Sequence, residues 1–239
     1  MLSVIIPAAG SGTRMNQALP KALTPFKDST FLKWQLSKFE NIADEIYVVV
    51  SDFQLEQFDN YRRNNNLKFE IINQGGGRGS FFAIKSVINR VSAQHTLVCW
   101  VDQVGLSKSV ILRSVIRLMV SSISGLIPLL QQNEPYVRAV IDSKGCLIQW
   151  KYQREGDTLE AGYTDLGFFV FNTSDLRNCI NGLRNEQDFS SKLTGEFNFL
   201  DLLPYFSRLK TLELYFTDDD LNAIAVNTKQ ELSLAEKKL

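Results

Sequence analysis

Val4-Ile5-Ile6-Pro7-Ala8-Ala9-Gly10-Ser11-Gly12-Thr13-Arg14-Met15 runs from an apolar stretch of strand character, through small residues, into a loop with two glycines. Glycine has no Cβ, so backbone N–H groups in such a loop can come within hydrogen-bonding range of phosphate oxygens. Arg14 adds a planar, bidentate cation, and Lys21, next to Pro20, adds a mobile point charge. Ala8 to Thr13, with Arg14 and Lys21, therefore read as a site for a nucleoside triphosphate. Two familiar glycine motifs do not fit. The dinucleotide fingerprint wants a third glycine where Met15 stands, and the Walker loop wants Gly-Lys-Ser/Thr, a string absent from the chain.

Composition narrows the setting of that loop. At 239 residues, with 44% hydrophobic and 22% charged side chains, the chain is long enough for one sizeable α/β core. The 26 basic and 26 acidic side chains balance, so a nucleic-acid partner, which wants a basic excess, is not expected. Cys99, Cys146 and Cys179 are odd in number and far apart, which argues against a disulfide framework or a zinc knuckle and for a reducing cytoplasm. Met1-Leu2-Ser3 lacks a basic leader, and the apolar run after it is too short to span a bilayer. Neither an export signal nor a membrane partner is expected.

Outward from the loop, β-branched runs at Val4 to Ala8, Ile46 to Val50, Phe69 to Ile72 and Thr96 to Val101 alternate with helix-period segments. That alternation predicts βα units on a mainly parallel sheet. Phe81, Ile84, Ile88 and Val91 share one helical face, and Leu112, Val115, Ile116 and Met119 another. Beyond Gly125 strands are expected at Leu126 to Leu130, Val137 to Ile141, Leu147 to Tyr152 and Phe168 to Phe171, with a turn at Asp142-Ser143-Lys144-Gly145. Helices follow at Ser174 to Leu183 and Phe197 to Phe206, and Thr228-Lys229-Gln230-Glu231 is a capping box opening the last one. No linker divides the chain, so residues 1–239 are expected to form a single domain, with a nucleotide-binding half (1–124) and an acceptor-binding half (125–239).

Ala8-Ala9-Gly10-Ser11-Gly12-Thr13-Arg14-Met15, followed by Leu19-Pro20-Lys21-Ala22-Leu23, resembles the signature of the sugar-phosphate nucleotidyltransferases, or nucleotide-sugar pyrophosphorylases. The pattern is nearest the uridylyltransferase half of bacterial N-acetylglucosamine-1-phosphate enzymes. The resemblance implies the three-layer, Rossmann-like nucleotide-diphospho-sugar transferase fold, an α/β class with a mainly parallel mixed sheet. It also implies roles elsewhere. Gln74, Gly79 and Ser80, in Gln74-Gly75-Gly76-Gly77-Arg78-Gly79-Ser80, match positions that contact the base and phosphates, although Arg78 and Phe81-Phe82 depart from the family pattern and leave the base open.

Asp102 closes the apolar run Leu97 to Val101, a costly place for a carboxylate unless it is paired or holds a cation. Val101-Asp102-Gln103-Val104-Gly105-Leu106 resembles the family segment whose aspartate binds Mg²⁺, and Asn227, in Ala225-Val226-Asn227-Thr228, matches the position of the second metal oxygen. Thr164-Asp165-Leu166-Gly167 resembles the Asn-x-Gly segment that approaches the sugar, which makes Asp165 and Gly167 acceptor-binding candidates. Gly195-Glu196-Phe197 is read as scaffold, and the family's sugar-reading glutamate has no clear match near Trp150 to Glu155. His95, the only histidine, is read as structural, Trp34 as core, and Asp218 to Asp220 as solvated charge.

The resemblance thus implies transfer of a nucleotidyl group from an NTP to a sugar 1-phosphate, with Mg²⁺ as cofactor and Arg14, Lys21 and Asp102 as the catalytic set. Rival readings are a cytidylyl- or guanylyltransferase acting on an alcohol phosphate or cofactor, and a catalytically silent nucleotide-binding regulator. A glycosyltransferase ranks below both, since the only Asp-x-Asp spacing is Asp218-x-Asp220. No hexapeptide repeat is present, so an acetyltransferase half is not expected.

Overall fold

The structure, a computed structural model, describes residues 1–10, 19–75, 79–184, 191, 193, 195–218 and 220–239. Ser11 to Arg14 and Arg78 lie outside the described residues, as does Asp219. The strands are β1 (Leu2–Pro7), β2 (Pro25–Phe26), β3 (Ser29–Thr30), β4 (Glu45–Val50), β5 (Glu70–Asn73), β6 (His95–Cys99), β7 (Gly125–Gln132), β8 (Val137–Ile141), β9 (Leu147–Tyr152), β10 (Gly162–Asp165), β11 (Phe168–Asn172) and β12 (Leu212–Thr217). The helices are α1 (Phe31–Phe39), α2 (Leu55–Asn64), α3 (Ser80–Ile88), α4 (Lys108–Val120), α5 (Thr173–Asn181), α6 (Phe199–Leu209) and α7 (Lys229–Lys238).

The main sheet runs β5-β4-β1-β6-β11-β7, with β10 and β12 also paired to β7. Pairing is parallel at β1–β4, β1–β6, β4–β5 and β7–β12, and antiparallel wherever β10 or β11 takes part. This is the mainly parallel mixed sheet that the sequence predicts. Successive side chains of a strand point to opposite faces. Val4 and Ile6 accordingly join one buried cluster, with Phe31, Phe39, Phe58, Val110 and Ile111, while Ile5 joins the other, with Phe81, Ile84, Phe199 and Phe206. Two apolar faces each covered by helices make three layers. Among the described residues no helix is long and apolar enough to cross a membrane.

Three local readings need correction. On α4 the sheet takes Val110, Ile111, Val115 and Leu118, whereas Ile116 and Met119 of the expected face are exposed. The segment carries two apolar stripes, and the one that contains Val110 and Ile111 packs into the core cluster on that face of the sheet. β12 was not expected, although Leu212, Leu214 and Phe216 alternate as a strand should. β10, Gly-Tyr-Thr-Asp, has no apolar alternation to show. The hairpin of β8 and β9 forms a separate two-stranded sheet around the expected turn, and Thr228 caps α7 with Glu231 closing the box.

Glu45 ties the first strands together. Its carboxylate accepts from the Ser3 and Tyr47 hydroxyls and from the backbone N–H of Ser92 and Ala93, linking β1, β4 and the turn before β6. Burial pushes this carboxyl up, but those four hydrogen bonds outweigh it and hold the pKa near about 2, against 4.5 ordinarily. A depressed carboxyl contributes stability above its unfolded pKa and loses it as pH falls toward the folded value. Because the group is partly solvated, the contribution is on the order of 1–2 kcal/mol. Unfolding titrations from pH 5 down to pH 2 are expected to show that loss in the wild type and a correspondingly shallower fall in Glu45→Gln.

Candidate functional site

The carboxyl ends of β1, β4, β5 and β6 open onto a cleft of about 700 Å³. Ligand clefts of open α/β sheets form at this edge, where loops leave the strands and helix N-termini arrive. Ala8, Ala9 and Gly10 line it as β1 ends, and Ala8 is fixed by donating its N–H to Val49 O at 2.7 Å. Gln74, Gly79, Ser80 and Ala83 form the facing wall. Gly79 sits at φ +97°, and a Cβ there would lie 2.4 Å from Phe197 O, the atom that accepts the N–H of Phe81 at 3.0 Å. Only glycine lets the chain enter α3 against the 197 backbone. The Gln74 amide donates to Gly79 O at 3.2 Å, and Ser80 Oγ accepts from Phe199 N at 2.9 Å.

Lys21 is the next group at this edge. Ala22 and Leu23 are buried and anchor its short 3₁₀ turn, so its side chain is directed inward, 15% exposed. Its Nζ lies 2.5 Å from Asp102 Oδ2 and 2.8 Å from Asn227 Oδ1. Lys21, Asp102 and Asn227, three of the four residues the sequence singles out for charge handling, are therefore brought together, with Asp102 and Asn227 lying 81 and 206 positions from Lys21 in the chain. Asn227 is steadied by the α7 cap, donating its N–H to Glu231 Oε2 at 2.6 Å. One carboxylate and one amide oxygen converging on a single cationic atom is a donor set that suits Mg²⁺, which draws few oxygens from protein and the rest from water and phosphates.

A second cavity of about 270 Å³ adjoins the first and shares Ser80, Trp100, Asp102, Arg154 and Asn198 with it. Its far wall comes from the later strands: Gln132, Tyr136, Tyr152, Thr164 and Asp165, with Ala225 and Asn227. Asp165 is buried, and its side chain accepts the Gly167 N–H at 2.8 Å. Burial is the main reason its carboxyl is pushed up to about 6 from 3.8, with the Asp102 charge adding to the rise. Gly167 lines neither cavity. At φ +70° it leaves room for Gln103, whose Cγ would stand 2.0 Å from an added Cβ.

Arg154, in the 3₁₀ turn after β9, is the second cation at the junction. It donates to Asn198 Oδ1 at 2.5 Å and faces Glu196 at 3.6 Å and Glu155 at 3.7 Å. Glu196, read from the sequence as scaffold, thus lines the cleft. Sequence reasoning missed Arg154, Asn198 and Phe53, the last a ring 76% exposed at the cleft edge beside Ser51 and Asp52. An Arg-Glu pair directly after a predicted strand was the available signal for Arg154. Nothing comparable marks Phe53. Trp34 proves half-buried, its ring against Phe26 and its Nε1 donating to Val104 O at 2.8 Å. His95 begins β6, far from the cleft, and partial burial lowers its pKa. Asp218 is exposed, as expected.

The chain is similar to known proteins over nearly its whole length. It is 25% identical over 244 residues to the bifunctional protein GlmU of Bifidobacterium longum, and 22% identical over 238 residues to that of Pseudothermotoga lettingae. These alignments take in 98% of this chain and 52% and 50% of the relatives, so the chain spans about half the length of the curated relatives it matches. Its fold superposes, with a TM-score of 0.79 and 14% identity, on a Bacillus anthracis protein assigned as a glucose-1-phosphate thymidylyltransferase and crystallised with sucrose, covering 99% of this chain and 94% of that one. This likeness places the chain in the nucleotide-diphospho-sugar transferase type of Rossmann-like fold. Residues 4–145 match the model of the MobA-like NTP transferase domain. With more than half of its length so matched, the chain belongs to the MobA-like NTP transferase family and is a nucleotidyltransferase.

Proposed function

We propose that this nucleotidyltransferase moves a nucleotidyl group from an NTP to a sugar 1-phosphate, releasing pyrophosphate, with Mg²⁺ bound by Asp102 and Asn227. The observation that supports this most is the junction: two cavities of unequal size share Asp102, with Lys21 lining the larger and Arg154 lining both. The larger cleft suits the triphosphate and the smaller the acceptor.

An oxygen of the acceptor phosphate attacks the α-phosphorus in line, and the bond from that phosphorus to the bridging oxygen of the β-phosphate breaks. Pyrophosphate leaves with the electron pair. The nucleophile is already an anion, so the protein's task is positioning and charge neutralisation rather than proton transfer. The glycine loop and Gln74, Gly79 and Ser80 hold the nucleotide. Lys21 and Arg14 neutralise charge at the α-phosphorus and on the leaving group, while Arg154 holds the acceptor phosphate against its partners Glu196 and Asn198. Asp165 accepts from an acceptor hydroxyl. Bound Mg²⁺ supplies Lewis-acid neutralisation of the phosphates.

Pyrophosphate release is to be measured with Mg²⁺ across the four common NTPs, against sugar 1-phosphates and, as the rival acceptors, alcohol phosphates. Turnover is expected with one NTP and a sugar 1-phosphate, to fall at least about 100-fold in Asp102→Ala, by analogy with loss of other groups that stabilise transition-state charge. Asn227→Ala is expected to raise the Mg²⁺ requirement more than the KM for NTP. Turnover with alcohol phosphates alone would replace the acceptor assignment, and binding of NTP without any turnover would favour a silent regulator.

Asp165 gives a check that needs no substrate. Its raised pKa means that the folded chain holds a proton the unfolded chain releases, so stability from this group is full below about pH 4 and is lost as pH rises through 6. Between pH 7.5 and 5 the gain is about 1–2 kcal/mol. In Asp165→Asn that gain is expected to vanish, and the difference between the two denaturation series isolates it from other groups.

A further inference from the structure

Lys38, on the inner face of α1, is 8% exposed, and no carboxylate among the described residues pairs with it. Its Nζ donates instead to Val104 O at 2.9 Å and Gln103 O at 3.2 Å. Both carbonyls already have a donor. Gln35 Nε2 reaches Gln103 O at 2.6 Å and Trp100 O at 3.2 Å, and Trp34 Nε1 reaches Val104 O. The ammonium is thus not needed to satisfy buried backbone. Its burial is costly and pulls its pKa down to about 7. Its Nζ also stands 5.9 Å from the centre of the Trp34 ring, so below about pH 7 it is a buried charge resting on two carbonyls that already have donors and on one ring face.

The carbonyls it holds belong to the turn that carries Asp102. That turn is also the link to Asn227: Gly105 donates to Ile224 O and Val226 donates to Asp102 O, each at 3.0 Å. A Cβ on Gly105 would stand 1.9 Å from Leu221 O, so the two segments are in direct backbone contact. Force applied to the 100–104 turn from α1 therefore sets where both oxygens point. Charge-assisted hydrogen bonds are as a rule stronger than neutral ones, and the two from Lys38 are added to those of Trp34 and Gln35 on the same carbonyls.

We propose that Lys38 is a positioning residue, an ammonium built into the floor of the site to hold the Asp102 turn and, through it, Asn227 in the arrangement that receives a divalent cation. The inference rests on the metal reading given above, and it makes a demand that a packing role does not. Since Lys38→Met keeps the length, leaves no carbonyl orphaned and removes a buried charge, its melting temperature is expected to hold or rise. The cation site is expected to weaken all the same.

Two measurements on the full chain test this. Mn²⁺ alone, followed by electron paramagnetic resonance, is expected to bind Lys38→Met about 5- to 10-fold more weakly than wild type, and amide exchange at Val104, Gly105 and Val226 to quicken about 10-fold while the β1 amides stay protected. A melting temperature that falls with Mn²⁺ affinity unchanged within twofold, or exchange at those three amides that does not change, overturns the assignment. Wild type that takes up no Mn²⁺ would instead remove the metal reading itself, and the exchange result would still decide whether Lys38 holds the turn.

Discussion

A single ammonium joins the ends of this chain to its middle. Lys21 bonds Asp102 and Asn227 at once, and each of the three comes from a separate excursion out of the sheet. Such a three-way contact is expensive in loop entropy, and little of that cost is recovered from one charge-assisted bond to each partner. It exists because each excursion is fixed beforehand by its own local device. A buried 3₁₀ turn sets Lys21, the α1 side chains set the turn of Asp102, and the α7 cap sets Asn227. The sheet then has only to keep three rigid pieces at constant spacing.

That division of labour explains which parts of the molecule were legible in the amino-acid sequence. Strands β1, β4 and β6 announce themselves because a strand buried on both faces is a continuous apolar run, and β7 and β11 show themselves in the same way through Leu126 to Leu130 and Phe168 to Phe171. The same logic hid β10, whose Gly-Tyr-Thr-Asp carries chemistry rather than core. On α4 the period was correct and the phase wrong, since two apolar stripes satisfy the helix equally and only the sheet decides between them.

The site divides in the same manner. Lys21, Asp102 and Asn227 were legible because each sits in a short string with a recognisable neighbour, Pro20, the run Leu97 to Val101, and Thr228. Arg154 and Asn198 belong to no such string. They matter because β9 and the start of α6 pack side by side, which is information about distance and not about order along the chain. Lys38 is the extreme case. A lysine in an amphipathic helix reads as solvent-facing, and only the backbone it reaches shows that it does not belong there.

The hairpin of β8 and β9 stands apart from the main sheet, yet it supplies Tyr136 at its edge, Val137 and Tyr152 to the smaller cavity. Part of the smaller cavity's wall is thus borne by a unit that shares no ladder with the strands bearing the larger cleft. The hairpin is held to the rest of the molecule by packing on β10 and α6 and by side-chain bonds such as that from the Tyr152 hydroxyl to Asp201, rather than by a shared ladder. A side chain on the hairpin can therefore be exchanged without breaking a hydrogen bond of the main sheet, the hairpin being coupled to the larger cleft only through packing and side-chain bonds.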